Sequence, residues 1–167
     1  MARSSTKIGD IFSVKIDENS KKYFQVVAFD LSQLNSDVIR AFKKIYPLDN
    51  NSNLMEIING EVEFYAHCVT KSGVKMNLWE KAGNIVDVGG LNHILFRDTN
   101  DYGYKENEDP IKISNNWHVW RINESFRDVG KLTGENRKAY IGLVINPLGI
   151  IELLKGNKYP ISYPDFE

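Results

Sequence analysis

The sequence predicts an α+β fold dominated by antiparallel strands, arranged as a strongly bent sheet or partly open barrel with one clear helix over about residues 37–46. Three observations predict it. Phe12, Val14 and Ile16 alternate with Ser13 and Lys15, and Phe24, Val26 and Ala28 alternate with Tyr23, Gln25, Val27 and Phe29 after the polar stretch 17–22. That is an antiparallel hairpin whose loop is longer than a tight turn. Val62, Phe64, Ala66 and Cys68 alternate with Glu61, Glu63, Tyr65 and His67, a second half-buried strand. Val38, Ala41, Phe42 and Ile45 instead recur at helical spacing, with Arg40, Lys43 and Lys44 between them. Ser36 or Asp37 can cap this helix, and Pro47 stops it.

A lone hairpin is marginal in water, so further strands must cover its apolar face. Asp49-Asn50-Asn51-Ser52-Asn53 is a loop by composition, and 54–58 reads as a short strand or a helical turn. The strand over 61–70 follows the turn signal Asn59-Gly60 and ends at Lys71-Ser72-Gly73. Residues 74–83 fit either period, with a short helix or irregular turn preferred, and Trp79 anchors the edge of the core. Strands are expected over 91–97 and 117–122, separated by the acidic loop 98–110, and 127–138 reads as an exposed connection. Residues 140–155 read as two apolar strands joined by a type I turn at Asn146-Pro147-Leu148-Gly149.

The chain of 167 residues, 42% apolar and 26% charged, fits one globular domain, with 1–6 as a flexible tail and 156–167 as an extended one. A formal charge of −1 gives no electrostatic case for nucleic acid or an anionic membrane. A single cysteine excludes an internal disulfide framework and fits a reducing compartment. The polar N-terminus lacks an apolar signal segment, and no stretch reaches the roughly 20 apolar residues of a membrane helix. A cytoplasmic protein is the expectation.

No residues form a recognised catalytic motif or a cofactor-binding glycine loop. Counting from Asp98, the acidic loop places Asn100, Gly103, Glu106 and Asp109 at positions three, six, nine and twelve of a calcium loop. Tyr102 at position five and the short acid at twelve break that pattern, and its flanks read as strands. The alternatives are an acidic protein-binding loop and an ordinary solvated one. His67 and Cys68, as strand neighbours, point to opposite faces and form no nucleophile–base pair; Cys68 reads as a buried structural thiol. His67, His93 and His118 lie on separate predicted strands at spacings that match no zinc motif. Asp10, Glu61, Glu63, Asp87 and Glu124 are scattered acids from which folding could build a carboxylate pair. Trp117, Trp120, Tyr102 and Tyr104 could stack on bases or sugars, but without an aromatic–basic motif they read first as core or interface residues.

The opening Lys7-Ile8-Gly9-Asp10-Ile11-Phe12-Ser13-Val14, with Tyr23-Phe24-Gln25-Val26-Val27 after it, resembles the start of the immunity protein 26 family of bacterial polymorphic-toxin systems. Trp79-Glu80-Lys81-Ala82-Gly83-Asn84 and the strand ending at Phe96-Arg97 look like later parts of the same pattern, so the likeness spans about the first 100 residues. The resemblance implies a cytoplasmic protein that binds and blocks a cognate protein toxin and brings no catalytic motif with it; no cofactor or metal is expected. Such a protein often covers a basic active site with acidic surface, which makes Asp98, Asp101, Glu106, Glu108 and Asp109 the candidate contact residues. The alternative is a small-ligand or carbohydrate-related enzyme using a carboxylate pair beside an aromatic such as Trp120.

Overall fold

The computed structural model describes residues 5–103, 105–159 and 162–167. Most of the N-terminal tail, Tyr104 and Pro160 therefore lie outside the described residues. The predicted hairpin is present as β1 (Asp10–Lys15) and β2 (Ser20–Asp30), with Phe12 opposite Phe24 and their rings stacked 5.3 Å apart. The alternation holds until a bulge between Val26 and Ala28 inserts one residue. Beyond it the faces exchange, so Ala28 joins Val27 in one cluster and Phe29 packs with Phe24 and Val26 in another.

The segment expected as a helix is a strand. β3 (Ser36–Phe42) lies antiparallel between β2 and β5 (Val62–Cys68). Its apolar residues number more than the helical spacing used: Val38, Ile39, Ala41 and Phe42 are all buried, whereas Ile45 is exposed. A nearly continuous apolar run with β-branched members is the mark of a strand covered on both faces. Arg40, which lies between the apolar positions of the expected helix, is buried, and its Nε donates to Gln25 Oε1 at 2.8 Å. Pro47 does not end a helix but sits in β4 (Tyr46–Pro47), paired to β2.

Residues 54–58 are helical, as α1 (Leu54–Ile58), capped by the Asn53 side chain. α2 (Thr70–Lys75) follows β5, and residues placed in a helix or turn then form β6 (Trp79–Asn84), antiparallel to β1. Trp79 is buried, edge-on to Phe24, as its anchoring role requires. The large sheet runs β11–β5–β3–β2–β1–β6, with β11 being Val144–Ile145. Its end strands β11 and β6 are not paired to each other, so the curled sheet stays open.

A second sheet contains β7 (Phe96–Thr99), β8 (Trp117–Trp120), β9 (Arg127–Gly130) and β10 (Tyr140–Ile141), in the order β10–β7–β8–β9. The strand expected over 91–97 starts five residues later, because 91–94 closes a turn through Ile94 N–H to Leu91 O. The supposed exposed connection 127–138 supplies β9, a 3-10 turn at Gly134–Lys138 and the buried Leu132. The predicted hairpin over 140–155 is absent. β10 and β11 are short parallel strands in different sheets, and Asn146 caps α3 (Pro147–Leu154) by accepting from Gly149 N–H at 2.8 Å.

Two packed faces follow. α3 sets Ile150 and Leu154 against Phe12, Phe24, Ile39 and Trp79 on one side of the large sheet. On its other side Val27, Val38 and Tyr65 meet Phe96 and Trp120 of the small sheet and Ile94 of the turn before it.

Candidate functional site: the acidic loop and a buried junction

The long connection from β7 to β8 carries the five acids singled out from sequence, and the fold divides them. Asp98, still in β7, is half-buried, and its Oδ1 accepts from Thr99 N–H at 2.8 Å and from the Tyr163 hydroxyl at 3.2 Å. Burial pushes its carboxyl above the usual range, against those hydrogen bonds and the nearby His118. Asp101 Oδ2 accepts from the buried Ser114 hydroxyl at 2.8 Å and from Asn116 Nδ2 at 3.0 Å. Asp101 thus ties the start of the loop to its end, and Asp98 ties it to the C-terminal segment. Glu106, Glu108 and Asp109 are exposed, and among the described residues they enter no ion pair.

The calcium pattern is not assembled. A strand precedes the loop, Asp98 and Asp101 spend their carboxylates on protein donors, and among the described residues no three His, Cys, Asp or Glu side chains are placed to hold a metal ion. The candidate stacking residues Trp117 and Trp120 are core, with 1% and 3% of their surface exposed.

His67 and Cys68 do point to opposite faces of β5. Cys68 is fully buried beside Thr70, and burial pushes its thiol up to about 12, so it is protonated and inert at neutral pH. His67 faces the small sheet, where it meets a site the sequence does not reveal. Asp30, the last residue of β2, is fully buried and receives four donors from separate segments. His67 Nε2 and Trp120 Nε1 lie 2.8 and 3.1 Å from Oδ2, while the N–H groups of Asn123 and Gln33 reach Oδ1 at 3.2 and 3.5 Å. An ionised carboxylate only accepts, so His67 is the tautomer protonated at Nε2. Its Nδ1 is buried without a partner, and its ring lies 4.1 Å from that of Phe96.

Burial drives the Asp30 carboxyl upward, but its donors outweigh burial and hold it below the ordinary value. Burial dominates for His67 and holds it below its ordinary value, although Asp30 pulls the other way. Both directions agree with the geometry, since an imidazolium would need an acceptor at Nδ1 that the site lacks. This junction joins both sheets, and the side chains of Asp30 and His67 expose no atom for a substrate to reach.

The remaining acids do not form a pair with one another. Asp10 binds Lys81 at 2.7 Å and Asn84 at 2.8 Å, Glu63 binds Lys22, and Glu61 binds Lys43. Asp87 uses Oδ1 to cap Gly89 N–H, and Glu124 lies in a cleft beyond β8. His93 is exposed against Tyr65, and His118 sits between the rings of Trp120 and Phe126, so the three histidines serve separate surroundings. Among the described residues no helix is long and apolar enough to cross a membrane. Compared with known families, curated proteins and solved structures, the chain finds no match.

Proposed function

We propose that this chain is the immunity component of a bacterial polymorphic-toxin system: a cytoplasmic, non-catalytic protein that binds a cognate protein toxin and blocks it. The observation that carries the reading is the acidic stretch Glu106, Glu108 and Asp109, exposed on a loop whose base Asp98 and Asp101 fasten to the scaffold. A tethered loop loses less freedom on binding than a free one, and its unpaired carboxylates suit a basic cleft. The resemblance of the first hairpin and of Trp79–Asn84 to the immunity protein 26 family supports the same reading.

The test uses the toxin domain encoded by the neighbouring gene. The purified chain should bind it stoichiometrically and abolish its toxicity. Replacing the three acids together (E106K, E108K, D109K) should weaken binding by about tenfold or more without changing the melting temperature. No binding by the unaltered chain would refute the function; full binding by the triple variant would refute the contact surface.

A further inference from the structure

A cleft of about 470 Å³ opens where the end of β2 meets the turn after β8, far along β8 from the acidic loop. Its size is in the range of small-ligand sites. Ile8, Leu31, Leu91 and Ile122 supply apolar walls, and Leu31 and Ile8 are 70% and 41% exposed at its lip. Its charged lining residues are Arg121 and Glu124.

These two residues are the first and fourth of a turn closed by Glu124 N–H to Arg121 O at 3.0 Å, with Asn123 at φ 62° in the third position. Such a turn brings its ends within about 7 Å. The turn is fixed before any ligand arrives. Asn123 Oδ1 accepts from Leu31 N–H at 2.8 Å, its Nδ2 donates to Phe29 O at 3.0 Å, and its own N–H reaches Asp30. Arg121 Nε donates to Asn92 O at 2.9 Å, which tethers the guanidinium to the cleft wall. Among the described residues neither Arg121 nor Glu124 forms an ion pair, with each other or with any other group.

One cation and one anion on a rigid turn, above an exposed aliphatic wall, complement a small molecule with the same three parts. We propose that this cleft binds a free aliphatic α-amino acid, its carboxylate on Arg121, its ammonium on Glu124 and its side chain against Leu31, Ile8 and Leu91. A purely apolar occupant would leave both charges unused, and a peptide terminus would satisfy only one.

The proposal is tested on the full ¹⁵N-labelled chain by titration with L-leucine, 4-methylvalerate (no ammonium) and isoamylamine (no carboxylate). Leucine should give saturable amide shifts at 28–31, 91–92 and 121–124, with a dissociation constant in the millimolar range. Each one-charge analogue should bind about fivefold more weakly, the size of an exposed ion pair. R121Q should lose the same factor for leucine and none for isoamylamine, and E124Q should lose it for leucine and none for 4-methylvalerate. Leu31→Glu lies on the surface and should abolish binding while leaving the melting temperature unchanged. Absence of saturable shifts at tens of millimolar leucine, or equal affinity for all three probes, would overturn the proposal. So would a response of a partner protein's apolar side chain alone, seen as L31E impairing toxin binding while leucine fails to bind.

Discussion

At Asp30 a single carboxylate collects donors from the turn at Gln33, from β5, from the last residue of β8 and from the turn after it. Truncating it, Asp30→Ala, leaves the Nε2–H of His67 and the Nε1–H of Trp120 buried without acceptors. The expected cost is about 3 kcal/mol or more, measured by urea unfolding. The same residues set a pH dependence. His67 has a folded pKa below its unfolded value of about 6.5, so the unfolded chain takes up the proton first. Its contribution is therefore complete above that pH and is lost as pH falls below it. Asp30, also depressed, contributes above about pH 4 and loses that contribution on further acidification. Unfolding free energy should thus decline in two stages on acidification, and His67→Gln should remove the first. A variant whose profile between neutrality and pH 5 matched the parent would exclude His67 as the source.

At the scale of elements, the crossing from β10 to β11 depends on Gly142. A Cβ there would lie 2.1 Å from the Trp120 ring and 2.8 Å from Arg97 O, and the Gly142 N–H already bonds that carbonyl at 2.7 Å. Gly142→Ala must push the indole off Asp30 or separate the strands. It should cost about 1–3 kcal/mol, where an exposed glycine such as Gly90, with nothing near its Cβ, tolerates alanine. Matched thermal melts of the two variants check this. The strands that alternate cleanly, β1, the first half of β2 and most of β5, were legible from residues alone. β3 was not, because four apolar residues in seven satisfy helical and strand periods together, and its neighbours on both sides decide between them. α3 was misread because a type I turn and the first turn of a helix share backbone angles. Asn146 and Pro147 suit either, and only burial of Ile150 and Leu154 on the large sheet extends the turn into a helix. For the site, composition marked the acidic loop but could not separate Asp98 and Asp101, which bind inward, from the three acids that face water. The Asp30–His67 junction was illegible for a related reason: its members are 37 residues apart and meet only through the pairing of sheets.

For the whole molecule, charge arrangement matters more than charge total. A net charge of −1 provides almost no long-range attraction for a basic partner. Glu106, Glu108 and Asp109 nevertheless lie within four residues, and only Lys105 adjoins them. At physiological salt, charges are felt over about 8 Å, so a partner senses this local group rather than the molecular sum. Association with the proposed toxin partner should therefore be steered at short range. Its rate constant should fall by about tenfold as salt is raised well above physiological strength, while dissociation changes little. Stopped-flow measurements at several ionic strengths separate the two rates. In the triple charge-reversal variant the slope of association rate against salt should flatten or invert, because the group that steers has changed sign while the scaffold held by Asp98 and Asp101 has not. A slope identical to the parent's would place the steering charges elsewhere on the surface and remove the acidic loop from the contact.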